Sequence, residues 1–221
     1  SNTFNIKYGE VLVMPNLTSD SHDLTGWYIG SNSQTVYSVD ENYTWNKMSG
    51  DTLTAVWSAK SFQVKVEIYG EHLNSDRTSY SYSDIGDGNI YTNLPAGYFS
   101  STTFGVDSNG KPSLATNKPS SNNYTFVGYS LSMPNTNNIS TTFPEINLLD
   151  SNANVKNRVL TLYLVYRNHY TLSFKPSSVS LGSVSVKIGE YVYRDSVKVT
   201  CGEEVALIPS PNAGYHLAGY S

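Results

Sequence analysis

The chain has 221 residues, 38% of them hydrophobic and 14% charged, with a formal net charge of -4 at pH 7. That balance gives a globular chain and excludes disorder driven by high charge. The lysines and arginines are few and scattered, which excludes the electrostatic footprint of a protein that binds nucleic acid or an anionic membrane.

In chain order, Tyr8 to Pro15 is a strand-like run ending in proline, and Leu24-Thr25-Gly26-Trp27-Tyr28 is an apolar approach to a glycine and an aromatic. Ser38 to Lys47 is a short-helix candidate, with Ser38 as its cap followed by Asp40 and Glu41. Leu53-Thr54-Ala55-Val56-Trp57 alternates apolar with smaller or polar positions and reads as a half-buried strand. Val64, Val66 and Ile68 then alternate with Gln63, Lys65 and Glu67, a second strand that opens almost at once.

Asp84-Ile85-Gly86-Asp87-Gly88-Asn89 carries oxygen donors at positions one, four and six, and no glutamate closes the set, so a hairpin turn is expected there and not a calcium loop. Gly88 to Pro95 is a looser proline-ended run. Ser100 to Asn123 is rich in Ser, Thr, Asn, Gly and Pro and reads as loop. Phe126-Val127-Gly128-Tyr129-Ser130 repeats the glycine-aromatic step, Glu145 to Asp150 is a second weak helix candidate, and Leu160 to Tyr166 is another closing strand. Strands are also expected at Val184, Val186 and Ile188 and at Val197 and Val199. Cys201 to Pro209 gives a third proline-ended run, and Leu217-Ala218-Gly219-Tyr220-Ser221 a third glycine-aromatic step.

Self-similarity organises the chain. Gly26 stands eleven positions after Pro15 and Gly219 ten after Pro209, but Gly128 stands thirty-three after Pro95. The middle copy therefore carries a loop insertion near residues 98–123. Three units follow: 1–59, lacking its opening strand; 60–167, with the insertion; and 168–221, stopping just after its glycine-aromatic step. Both ends are expected to be cuts within a longer array. Each unit is expected to be a small, mainly β domain, α+β at most, in an extended array with short junctions.

Glycine before an aromatic permits a tight backbone approach, and Trp27 and Trp57 are expected to be core anchors of a small domain. The structural landmarks are thus Gly26, Trp27, Trp57, Gly128, Tyr129, Tyr166, Gly219 and Tyr220. Trp45 lies outside the repeated landmarks and is the candidate for stacking on a sugar; Tyr98 and Phe104, in the insertion, are the other ligand-binding candidates.

No catalytic constellation emerges. His22, His72, His169 and His216 are far apart and read as chance surface residues, with no metal-ligand spacing. Glu203 and Glu204 are adjacent on a strand-like run and would face opposite ways. The lone Cys201 excludes an internal disulfide and reads as a buried structural thiol. Asn16, Asn42, Asn123 and Asn138 fit the N-glycosylation pattern, which arises readily by chance in a chain so rich in Asn, Ser and Thr. No apolar run is long enough to span a bilayer, so no membrane insertion of this stretch is expected.

The arrangement Ile6-Lys7-Tyr8-Gly9, a proline-ended strand, Leu24-Thr25-Gly26-Trp27-Tyr28 and Leu53-Thr54-Ala55-Val56-Trp57 resembles the Listeria–Bacteroides repeat, the internalin B-repeat family of bacterial surface proteins. The second unit is similar at its glycine-aromatic step and closing strand, with Tyr129 and Tyr166 in place of the two tryptophans. The third, with Gly182-Ser183-Val184 and Ala213 to Tyr220, is similar to the family's divergent branch. The resemblance implies a β-grasp-like fold in each unit, tandem placement on a secreted or cell-surface protein, and a stalk or adhesive role without an active site.

The expectation is a non-enzymatic, monomeric stretch of a Gram-positive surface or secreted protein, wall-attached or released, with no cofactor and no metal. It acts as the stalk of an adhesin. The alternative is that the units themselves adhere to a host glycan or a host surface or matrix protein, using the insertion and exposed tyrosines.

Overall fold

Alternating apolar side chains dominate the chain, and the computed structural model is accordingly mainly β, with 50% strand and 3% helix in several small sheets and no barrel among the described residues. Those residues are 3–31, 34–76, 78–200 and 203–219. In chain order the strands are β1 (Val11–Val13), β2 (His22–Ile29), β3 (Asn42–Thr44), β4 (Leu53–Ala59), β5 (Ser61–Leu73), β6 (Tyr80–Pro95) and β7 (Gly97–Phe99). After a single-turn helix α1 (Ser101–Phe104) come β8 (Tyr124–Ser130), β9 (Ile146–Leu148), β10 (Val155–Lys156) and β11 (Val159–Ser173). The chain continues through β12 (Gly182–Ile188), β13 (Tyr191–Tyr193), β14 (Ser196–Thr200) and β15 (Ala206–Pro211).

The largest sheet runs β10-β11-β5-β6, with β8 and β14 also pairing β11. A three-stranded sheet runs β13-β12-β15, and β1-β3, β2-β4 and β7-β9 are two-stranded. By contacts the chain forms two compact units, one of Ser1–Val64, Tyr91–Ser100 and Glu145–Leu160, the other of Lys65–Ile90, Ser101–Pro144 and Thr161–Ser221. This division does not follow the three sequence units, and β11 passes through Arg167 and Asn168 without a break.

In the first compact unit Met14, Trp27, Ile29 and Trp45 form a core, with Leu12, Leu24, Tyr37, Tyr43, Leu53 and Ala55 packed against it. The Tyr43 ring meets Trp45 edge-on at 6.2 Å and Tyr37 at 5.0 Å, geometry that aromatic quadrupoles favour. Lys60, between β4 and β5, is buried and donates to the Ser19 carbonyl at 2.6 Å and to the Asp150 carboxylate. In the second unit Phe104, Phe126, Tyr129, Phe143 and Tyr166 form a chain of ring contacts with centroids 4.8 to 6.1 Å apart.

The period-two expectations hold on β5, where Phe62, Val64, Val66 and Ile68 are buried and Ser61 and Gln63 exposed. Both helix expectations fail. At Ser38 to Lys47 the Asp40 backbone is left-handed (φ 63) and the Glu41 carboxylate accepts the Ser38 N–H at 2.6 Å, which closes a turn before β3. At Glu145 to Asp150, Ile146 and Leu148 are buried on one face of β9, which pairs Ile146 with Phe99 and Leu148 with Gly97.

The hairpin turn expected at Asp84 to Asn89 is also corrected. Those residues lie inside β6, where Gly88 leaves room for Val66, whose Cγ1 stands 2.5 Å from where a Cβ would sit. The chain reverses instead between β5 and β6, where Asn74 N–H donates to the Ser79 carbonyl at 2.9 Å and the Asp76 carboxylate accepts the N–H groups of Thr78 and Ser79. The stretch expected to be a loop near 98–123 holds β7, α1 and a 3₁₀ turn at Ala115–Asn117, and its Phe104 and Asn117 are fully buried.

Candidate functional site

The recurring glycine-aromatic step has the same local build in its first two copies. On β2 and β4, Leu24 pairs with Trp57, Gly26 with Val56 and Trp27 with Ala55, leaving Thr25 as a bulge. On β8 and β11, Phe126 pairs with Tyr166, Gly128 with Val165 and Tyr129 with Leu164, leaving Val127 in the same place. An extra residue of this kind increases local twist and re-aims the side chains beyond it.

A third segment closes on each step. Trp27 exchanges backbone hydrogen bonds with Tyr37 at 2.8 and 2.7 Å, and Tyr129 does so with Ser140 at 2.8 and 2.8 Å. A Cβ on Gly26 would lie 2.5 Å from the Tyr37 carbonyl and 2.6 Å from Val36; one on Gly128 would lie 2.5 Å from the Ser140 carbonyl and 2.7 Å from Ile139. Only glycine admits so close a backbone. The aromatic that follows is buried and hands its polar end to a carbonyl: Trp27 Nε1 to Pro15 at 2.7 Å, Tyr129 Oη to Gly110 at 2.9 Å.

The third copy is different. A Cβ on Gly219 would meet nothing within 4 Å, and the residue is exposed. Tyr220, like Cys201, lies outside the described residues.

Of the tryptophan anchors, Trp27 is 7% exposed but Trp57 is 37% exposed, which corrects its expected place in the core. Its counterpart Tyr166 is 4% exposed and donates its hydroxyl to the Asn117 carbonyl at 2.7 Å. Burial pushes the phenols of Tyr129 and Tyr166 well above the usual tyrosine range.

The ligand candidates separate in the same way. Trp45 is 6% exposed inside the first core and Phe104 is fully buried against Tyr129 and Phe143, so neither offers a ring face to a sugar. Tyr98 is 71% exposed on β7.

The expectation of surface histidines is corrected at His169, which is 5% exposed at the point where β11 leaves β8 and meets β14. Its Nδ1 lies 3.3 Å from the Thr125 hydroxyl, and its Nε2 is buried without a hydrogen-bond partner. Burial, and then the nearby Lys198, holds its pKa below the usual value. Neither the composition nor the spacing around it signals this, because burial here comes from two strands distant in sequence.

The sequence also hides an acid-base pair. Glu71, on β5, is 5% exposed and accepts from Arg167 Nε and Nη2, each at 2.6 Å, while Tyr82 Oη donates to it at 3.2 Å. Arg167 also lies 5.2 Å over the Tyr80 ring. Beside this pair is a cavity of about 60 Å³ lined by His72, Asn168, Tyr170 and Thr200 among others. That volume has room for about two waters, against the roughly 300 Å³ or more of a site that encloses a small ligand.

Among the described residues no three His, Cys, Asp or Glu side chains converge as a metal site, and no helix is long and apolar enough to cross a membrane. No family model matches the chain, nor does any curated protein or solved structure.

Proposed function

We propose that the chain is a non-enzymatic repeat region of a bacterial cell-surface or secreted protein, serving as the stalk that holds an adhesin's binding head away from its anchor. The observation that carries this reading is the shared build of the two glycine-aromatic steps, with the same pairing, the same bulge and the same 2.5 Å approach to a carbonyl at Gly26 and Gly128. A chain that spends its distinctive residues twice on one packing device is using them for structure. The units are read as β-grasp-like repeats of the internalin B-repeat kind, on the residues quoted above. Spacers need reach and resistance to unfolding, and a fold built from repeated small units supplies both by nearest-neighbour addition.

The test is to place the chain between a wall anchor and a reporter binding domain on a bacterial surface. As a spacer it should raise reporter access to a large soluble ligand in proportion to the number of copies inserted. Access that does not change with copy number would reject the role.

The second reading, adhesion by the units themselves to a host glycan or matrix protein, is favoured by the 71% exposure of Tyr98. Tyrosine makes large, adaptable contacts at low entropic cost.

A further inference from the structure

The first two glycine-aromatic copies also match just past their closing strands. Lys60 stands three positions after Trp57 and His169 three after Tyr166, while Ser21 and Asn123 stand five before Gly26 and Gly128. The Lys60 N–H donates to the Ser21 carbonyl at 2.9 Å and the His169 N–H to the Asn123 carbonyl at 2.8 Å, so the two residues close the same kind of joint. Both side chains are buried. What they meet there differs. Lys60 gives its ammonium to the Ser19 carbonyl and the Asp150 carboxylate, whereas His169 has the Thr125 hydroxyl at Nδ1 and no partner at Nε2.

A neutral imidazole tolerates that setting, because with its proton on Nδ1 the bare Nε2 leaves only a lone pair unused. An imidazolium would bury a second N–H and a full charge with no acceptor. The groups around it supply none. Arg167, two residues earlier on the same face of β11, and Lys198, beside His169 on β14, are cations. On β5 the Glu71 carboxylate is held by Arg167 and Tyr82, and His72 by the Ser83 hydroxyl. Beyond β14, the Glu203 carboxylate accepts from the N–H and hydroxyl of Thr200, the residue paired with His169. β8 offers the uncharged Thr125.

β14 is the element this burdens. Among the described residues it pairs with β11 alone, over His169 to Ser173, and it buries one side chain, Val197. A short strand with so little buried surface lies at the low-stability end of a fold, whereas β8 is anchored by the buried Tyr129.

We propose that His169 is an acid-sensitive latch: when its imidazole takes up a proton, β14 and the His169–Ser173 end of β11 separate locally while the matched joint at Lys60 stays closed. Burial and then Lys198 hold the closed-state pKa below 6.5, so opening, which returns the ring to water, is favoured as the pH falls through 6.5. The proposal stands on the two joints and not on the spacer role, which reporter access tests separately.

The test is amide hydrogen exchange of the whole chain at pH 7.5 and pH 5.5, each rate divided by the intrinsic rate at that pH. Protection of residues 169–173 and 196–200 should fall by up to about tenfold in acid. Protection of residues 22–29 and 53–60 should stay constant, since the histidine beside the first joint, His22, is exposed and meets water in either form. His169→Gln, which cannot take up the proton, should remove the acid response. Lys198→Ala, at an exposed position, should keep the fold and move the response to higher pH, because a neighbouring cation is gone. Unchanged protection of β14 in acid would overturn the proposal, and so would a rise, which would mean that a carboxylate is drawn to the imidazolium. An equal loss at both joints, a response that survives His169→Gln, or one that does not move in Lys198→Ala would overturn it too.

Discussion

The carbonyl oxygen of Tyr37 lies 2.5 Å from where a Cβ on Gly26 would have to sit, and reciprocal backbone bonds to Trp27 hold it there. Gly26 is also at φ 153, a conformation that side chains resist. Gly26→Ala should therefore cost about 2–3 kcal/mol, and Gly128→Ala a similar amount through the Ser140 carbonyl. Gly219→Ala meets open space and should stay within about 0.5 kcal/mol of neutral. Denaturation midpoints of the three variants check this; equal losses would contradict it.

The tryptophans should rank by burial. Trp27→Ala and Trp45→Ala each empty a core position and should cost about 3–5 kcal/mol, while Trp57→Ala should cost about 1 kcal/mol. Urea denaturation of the three variants gives the order directly.

Glu71 and Arg167 should respond unequally. Removing Arg167 strands a carboxylate that is 5% exposed, whereas removing the charge of Glu71 leaves a guanidinium that is 40% exposed and can turn to water. Arg167→Ala should cost about 3 kcal/mol and Glu71→Gln about 1 kcal/mol. A larger loss for Glu71→Gln would mean that the carboxylate is not the desolvated partner.

Stability should fall in mild acid because of His169. Its folded-state pKa is below the usual 6.5, so the unfolded chain takes up this proton at higher pH than the folded chain. The contribution is intact above about pH 6.5 and is lost progressively as the pH drops from there towards the folded value. His169→Phe, which cannot bind that proton, should flatten this part of the stability profile. A second decline belongs to Asp76, whose pKa is lowered to about 2 by the Ser79 hydroxyl and then the N–H groups of Thr78 and Ser79. Its share is present above pH 3.8 and disappears as the pH falls towards 2.

Period-two runs such as Phe62 to Ile68 were legible in the sequence because half-buried strands impose that spacing directly. Glu145 to Asp150 was misread because Ile146 and Leu148 span too few residues to separate a period of two from one of three to four. Trp27 and Trp57 look alike in sequence, and only the number of strands beside each distinguishes an anchor from a half-covered side chain. Phe104 was obscured by surrounding serines and threonines that read as loop, although one aromatic is enough to pin such a segment to a core. The Glu71–Arg167 pair and the burial of His169 depend on contacts between distant strands, and no local pattern encodes them.

Binding of the intact chain to a broad panel of glycans and host matrix proteins tests the spacer reading most directly. With the fold verified by its near-ultraviolet dichroism, a spacer should bind none of them above background. Saturable binding to one partner that Tyr98→Ala removes without loss of stability would contradict the spacer role and make the chain itself the adhesive module.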